Sequence, residues 1–130
     1  MSVMRYAMVF ATGPVLIVDD DAAVRKALKF ALEIEGLDVR TYDSGRSLLA
    51  DRTLPAKGCL VIDQFMPKMR GLDLVRRLKD RAVQLPTILI TANLTDALKR
   101  SAASAGVQAV LEKPLSDSTL IDSIKAALRG

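Results

Sequence analysis

This chain of 130 residues contains no histidine and no tryptophan. Without histidine, phosphohistidine chemistry, a catalytic imidazole and histidine-ligated metal sites are excluded within the chain. A single cysteine, Cys59, cannot close an internal disulfide. It opens the apolar run Cys59-Leu60-Val61-Ile62, where it reads as a buried small hydrophobe, in keeping with a reducing, cytoplasmic setting. Aromatic residues make up only 4% of the chain while half of it is apolar, so the core must be mainly aliphatic. No window approaches the roughly 18 apolar residues of a membrane span, so no membrane association is expected. The opening stretch Met1 to Phe10 is mildly apolar but runs at once into Val15-Leu16-Ile17-Val18. A cleaved signal would remove or crowd that run, so none is expected. The net charge of +4 lacks a block of one sign. It is spread over Arg25-Lys26, Arg76-Arg77, Lys79, Arg81 and Lys99-Arg100, which reads as solvated helix faces rather than a nucleic-acid surface.

What is present is an alternation. The length suits one domain with a sizeable core. Strand candidates fall at 14–18, 38–42, 58–63, 86–91 and 107–111. Between them, Val24, Ala27, Leu28 and Ala31 show helical spacing, closed by Gly36 at a C-cap position. A short helix is expected over 44–51. Further stripes are Leu74, Val75 and Leu78 after Gly71; then Leu94, Leu98, Ala102 and Ala105 before Gly106; then Leu120, Ile121, Ile124 and Leu128. Five strands alternating with five helices imply a parallel sheet covered on both faces. The segment Asp38-Val39-Arg40-Thr41-Tyr42 alternates and belongs at an edge. Right-handed crossovers then favour an α/β, flavodoxin-like doubly wound sheet of order 2-1-3-4-5. Residues 1–13 read as an N-terminal extension and 14–130 as the domain, with no room for an appended effector.

The strand ends carry the chemistry. Asp63 closes the third apolar run and precedes Gln64-Phe65-Met66-Pro67. Asp19-Asp20 follows the first run, Thr91 ends the fourth and Lys113 follows the fifth. In an open parallel sheet the carboxyl edge is where ligands bind. Singly, each signal has a bland reading: a helix cap, a strand-end Thr, a Lys-Pro turn. Together they collect three carboxylates, a hydroxyl and an ammonium on one edge, a set suited to phosphoryl transfer. Three clustered carboxylates repel and raise at least one pKa. A hard divalent cation such as Mg2+, which prefers oxygen ligands, relieves this.

At these residues the chain resembles the receiver domain of two-component response regulators. The matching blocks are Leu16-Ile17-Val18-Asp19-Asp20-Asp21, Val61-Ile62-Asp63 with Met66-Pro67 and Gly71, Ile90-Thr91-Ala92, and Glu112-Lys113-Pro114. The likeness spans about 14–129, and in local style is nearest the nitrogen-fixation type of regulator. The resemblance implies that Asp63 is the phosphorylated nucleophile. It implies Mg2+ ligation by Asp20, Asp63 and the backbone carbonyl of Phe65, with Asp19 acting mainly through water. Lys113 and Thr91 would contact phosphoryl oxygens beside the Ala92 amide, and Pro114 would follow a cis peptide. The family's switch positions correspond to Thr91, Ala92, Asn93 and Val110. An aromatic ring is expected where Val110 stands, and a β-branched residue has no ring to swing. Signalling is therefore expected to run through the 92–95 loop and the fourth helix. Phe65 and Asn93 occupy positions that bear on water access to the acyl phosphate, and Phe65 either shields it or merely packs under its loop.

The implied function is a single-domain response regulator, regulatory rather than enzymatic, with Mg2+-dependent self-phosphorylation and slow self-dephosphorylation. Its implied partners are a histidine kinase or histidine phosphotransfer protein and a downstream protein bound at the helix 4, strand 5, helix 5 face, with a homodimer through that face also open. Direct DNA binding is not expected, because no recognition helix remains once five helices cover the sheet. An alternative is a phosphorylation-independent pseudo-receiver, although the chain keeps every residue such modules lose. A flavin or nucleotide carrier would need a Gly-, Ser- or Thr-rich loop after the first strand, where Asp19-Asp20-Asp21 stands instead.

Overall fold

Short runs rich in Val, Ile and Leu become strands, and the segments with helical spacing become helices. The computed structural model describes residues 13–130. Strands β1 (Val15–Val18), β2 (Val39–Tyr42), β3 (Cys59–Asp63), β4 (Thr87–Thr91) and β5 (Ala109–Glu112) alternate with helices. These are α1 (Ala22–Ile34), α2 (Gly45–Ala50), α3 (Gly71–Asp80), α4 (Asp96–Ser104) and α5 (Asp117–Arg129). All strand pairs are parallel and the order is β2-β1-β3-β4-β5, the expected doubly wound arrangement. Of the expected N-terminal extension only Gly13 is among the described residues. No helix of the described residues is long and apolar enough to cross a membrane.

Side chains of a strand alternate between faces, and the core divides accordingly. Leu16, Val18, Leu60, Ile62 and Leu89 meet Leu48, Leu74, Leu78 and Ala102 from α2, α3 and α4. Val15, Ile17, Val61, Ile88 and Ile90 meet Leu32 of α1 and Leu120, Ile124 and Ala127 of α5. Ile124 is fully buried, and truncating such a side chain to Ala costs ~2–5 kcal/mol. Cys59 is buried as expected, and burial pushes its thiol up to about 12.

Local chemistry sets the helix ends. Asp21 Oδ1 accepts from the amides of Ala23 (2.9 Å) and Val24 (3.2 Å), capping α1. Ser44, Thr95 and Ser116 cap α2, α4 and α5 through their hydroxyls. Gly106, at φ 83°, reverses the chain after α4. Its amide donates to Ala103 O (3.1 Å) and that of Val107 to Ala102 O (2.9 Å), the bonding of a Schellman motif. This explains the one shifted strand. Val107, expected to open β5, is spent closing α4, so β5 starts at Ala109 and extends through Glu112.

The same motif ends α3, where the amides of Ala82 and Val83 donate to Lys79 O and Leu78 O. Here the left-handed position is held by Ala82, at φ 59°.

Candidate functional site

The register of the sheet brings polar strand ends to one edge. Asp63 is paired with Ile90 in β4, and Thr91 with Glu112 in β5. Asp19 leaves β1 beside them. It is only 4% exposed, and Asp63 only 7%. Asp19, Asp20 and Asp63 each offer a carboxylate oxygen, and these atoms lie within 4.8 Å of one another. Lys113 Nζ lies 3.4 Å from Asp63 Oδ1. Burial is the main cause holding both Asp19 and Asp63 above the usual carboxylate range. For Asp63 the neighbouring Asp19 charge adds to the rise, while Lys113 opposes it. One ammonium against three carboxylates does not restore balance.

Backbone bonds hold this cluster. Asp19 Oδ1 accepts from the Asp21 amide at 2.8 Å, and the Arg25 guanidinium donates to Asp19 O at 2.8 Å. The loop after β3 is pinned at both ends. The Gln64 amide donates to Ile90 O (2.8 Å), and the Gly71 amide to Gln64 O (3.0 Å). Gln64 Oε1, itself buried, accepts from the Leu72 amide at 2.9 Å, satisfying one of the free donors at the start of α3. Gly71 permits this approach, since a Cβ there would lie 2.6 Å from Asp63 O. Phe65 is exposed at the loop's tip with the Arg70 guanidinium 5.1 Å from its ring centre.

Thr91 is fully buried at the end of β4. Its Oγ1 accepts from the Asn93 amide (3.1 Å) and donates to Asn93 O (3.3 Å). Ala92 and Asn93 are exposed. The Lys113 amide donates to Thr91 O at 2.8 Å, and the Lys113–Pro114 peptide is cis. Thus Asp19, Asp20, Asp63 and Lys113 converge directly, and Thr91 stands on the adjacent strand end with its hydroxyl turned to Asn93. Val110 does not join them; it packs half-buried in the core beneath α4. Three contributors had no assigned role from sequence, among them Arg25 with its bond to Asp19 O. Glu112 Oε2 accepts from the Leu94 amide at 3.0 Å and so ties β5 to the 92–95 loop, and Gln64 anchors α3. Glu112 could have been found from its place in the block Glu112-Lys113-Pro114; nothing in the spacing marks Gln64.

An α/β sheet of this order, with carboxylates ending β1 and β3 and a lysine following β5, defines the class of receiver-type signalling modules. The response regulator receiver domain model matches residues 15–125. The transcriptional regulatory protein FixJ of Rhizobium meliloti is 37% identical over 111 residues, covering 85% of this chain and 54% of that protein. The C4-dicarboxylate transport transcriptional regulatory protein DctD of Pseudomonas aeruginosa is 37% identical over 118 residues, covering 91% of this chain and 26% of that protein. Among solved structures, FixJ-N aligns with a TM-score of 0.82 at 36% identity, covering 89% of this chain and 93% of that one. The chain belongs to the response regulator receiver domain family, whose members serve two-component signalling as regulatory modules rather than classical enzymes. It spans about half or less of the length of these two curated relatives.

Receiver domains typically bind Mg2+ at an acidic pocket. The residues present fit such an ion: all the donors are oxygens, and buried, mutually repelling carboxylates gain most from a hard divalent cation.

Proposed function

We propose that this chain accepts a phosphoryl group on Asp63 from a phosphorylated histidine of a kinase or phosphotransfer protein and thereby switches a protein-binding surface. The observation that carries the reading is the convergence of Asp19, Asp20 and Asp63 with the Lys113 ammonium 3.4 Å from Asp63. In the transfer, an Asp63 carboxylate oxygen forms a bond to phosphorus as the donor's N–P bond breaks; the electron pair of that bond stays on the ring nitrogen, and with the proton carried by the ring's other nitrogen the donor is left as a neutral imidazole and Asp63 as an acyl phosphate.

Asp20, Asp63 and the Phe65 carbonyl would hold Mg2+, with Asp19 supporting through water. When bound, the ion supplies positive charge against the phosphoryl oxygens and relieves carboxylate repulsion. Lys113 pairs with another phosphoryl oxygen, Thr91 donates its hydroxyl to a third, and the Ala92 amide lies beside it. Exposed Phe65 and Asn93 flank the route by which water reaches the acyl phosphate and so bear on its slow loss. The output surface is the α4, β5, α5 face, which in a single-domain regulator binds a separate protein.

The test is intact-protein mass after incubation with acetyl phosphate and Mg2+, with and without EDTA, for the parent and Asp63→Asn. One phosphoryl group gained only with Mg2+, and absent in Asp63→Asn, supports the reading. No gain there and none from a panel of phosphorylated kinases would overturn it in favour of a phosphorylation-independent interaction module.

A further inference from the structure

The loop from β3 to α3 is fixed on both sides of Phe65 but not at Phe65 itself. Before it, Gln64 is held through its amide, its carbonyl and its side chain. After it, Pro67 O accepts from the Met69 amide at 2.7 Å, with Lys68 at φ 68°. A left-handed conformation at a residue that carries a Cβ is uncommon and costs free energy. That turn folds the chain back, so that the Arg70 guanidinium lies 5.1 Å from the centre of the Phe65 ring. Neither the amide nor the carbonyl of Phe65 has a hydrogen-bond partner among the described residues. The direction of that carbonyl follows from ψ of Phe65 and φ of Met66, and so from what holds these two side chains. Met66 is sunk in the core, whereas Phe65 is 44% exposed.

We propose that Arg70 is a positioning residue for the cation site, holding the Phe65 ring and thereby the backbone whose carbonyl would meet Mg2+. The proposal rests on the Mg2+ site described above and adds to it a side chain that touches neither the ion nor the phosphoryl group. Arg70 suits the task because its own backbone is fixed. Its amide donates to Asp73 Oδ2 at 3.3 Å, and its carbonyl accepts from the Leu74 amide at 3.1 Å. Its guanidinium has no ion-pair partner among the described residues. The ring is therefore its partner, within the ~6 Å over which a cation is drawn to an aromatic face. Arg70 acts on the site in two opposed ways. As a charge it disfavours a second cation beside it; as a hold on Phe65 it favours one. The structure assigns the larger effect to the hold, because positive charge on an exposed side chain is screened by water and salt, while a misdirected carbonyl is lost to the ion altogether.

The test is titration of the unphosphorylated full chain with MgCl2 at constant ionic strength, followed by amide chemical shifts in NMR. Arg70→Gln should weaken Mg2+ binding by about two- to fivefold, the ratio equivalent to an exposed cation–aromatic contact, even though it removes a positive charge. Phe65→Leu, which keeps bulk but no ring, should weaken binding by the same factor, and the double variant by no more than either alone. Phe65→Tyr keeps a ring under the guanidinium and should escape the loss seen in Phe65→Leu. Both side chains are exposed, so all four variants should keep the parent's circular dichroism spectrum. A parent that binds Mg2+ together with an Arg70→Gln variant that binds it equally or more tightly would overturn the proposal and leave the cation site standing. So would additive losses in the double variant, or a Phe65→Tyr variant no better than Phe65→Leu. A parent whose amides around Asp19, Asp20 and Asp63 do not respond to Mg2+ would overturn the cation site and the proposal together.

Discussion

Replacing Gly71 with Ala asks whether the end of β3 and the start of α3 form one rigid corner. By helix propensity the change should stabilise by ~0.5–1 kcal/mol. The packing predicts the opposite sign. The new Cβ would lie 2.6 Å from Asp63 O, 2.8 Å from Leu89 Cδ1 and 3.0 Å from Gln64 Cα. Leu89 is fully buried and has little room to turn away. The other two atoms are backbone, and moving them strains the Gln64–Ile90 and Gly71–Gln64 bonds of 2.8 and 3.0 Å. Overpacking of this kind costs ~1–3 kcal/mol, and weakening the bonds of Gly71 and Leu72 to Gln64 adds ~1 kcal/mol. Less the propensity gain, the net loss is ~1–3 kcal/mol, or roughly 3–10 °C in Tm for a domain of this size. Urea unfolding measures it. Because the displaced atoms belong to Asp63 and its neighbour, phosphoryl acceptance from acetyl phosphate should also slow in conditions where the variant is fully folded. Leu78→Ala, on the same helix but distant from the carboxylates, should lower stability by ~2–5 kcal/mol without slowing acceptance. A Gly71→Ala variant as stable as the parent, or destabilised with an unaltered acceptance rate, would refute the rigid corner.

At the other end of α3, Ala82→Gly should stabilise by ~0.5–1 kcal/mol, because the left-handed conformation costs Ala ~1–2 kcal/mol and the greater freedom of unfolded Gly returns only part of that; urea midpoints decide. Asp19 and Asp63 have folded pKa values raised above their unfolded ones, so their contribution to stability is complete below the ordinary carboxylate range and is lost as pH rises through the raised values. In EDTA, melting temperatures should therefore decline less steeply from about pH 4 to about pH 7 in Asp63→Asn than in the parent, and Mg2+ should recover the parent's loss near neutrality. The Tyr42 hydroxyl, together with Thr53, holds the Asp51 carboxyl at about 2. Tyr42→Phe should raise that value in a carbon-detected NMR titration, and an unmoved titration would contradict the assignment.

The fold was legible because its strands are simple. β1 is apolar throughout and β3 and β4 are apolar but for their end residues Asp63, Thr87 and Thr91, as suits strands covered on both faces, and β2 alternates, as an edge strand does. Boundaries erred where backbone bonding overrides hydrophobicity: Val107 is apolar and β-branched, yet its amide closes α4. At the site, the residues brought together are those whose types are expensive to place at the end of a buried strand. Contributors such as Gln64 and Arg25 escaped notice because they act through one hydrogen bond to a backbone atom distant in sequence or masked by a turn. Their composition is ordinary, and only the fold gives them a partner. Ala27 of α1 was misplaced for another reason: spacing alone puts it in the same stripe as Val24, Leu28 and Ala31, whereas it lies on the exposed side.

How a phosphoryl group on Asp63 would reach the surface turns on three bonds around the 92–95 loop. Thr91 Oγ1 accepts from the Asn93 amide and donates to Asn93 O, and Glu112 accepts from the Leu94 amide. A hydroxyl has one proton, so donating it to a phosphoryl oxygen means releasing Asn93 O. The exchange is favourable in magnitude, since a bond to a charged acceptor contributes ~1.5–3 kcal/mol and a neutral one ~0.5–1.5 kcal/mol. Val110, half-buried and stiff at χ1, provides no ring to follow the hydroxyl. The change must then pass along the backbone into α4, whose only fully buried residue is Ala102 and which therefore opens at low cost. Phosphorylation should alter amide hydrogen exchange across 92–105. Glu112→Gln, which weakens the Leu94 anchor by exchanging a charged acceptor for a neutral one, should raise exchange there before any phosphorylation. If exchange at 92–105 is the same with and without the phosphoryl group, the loop is not the route, and coupling through the Lys113 side of β5 becomes the remaining path.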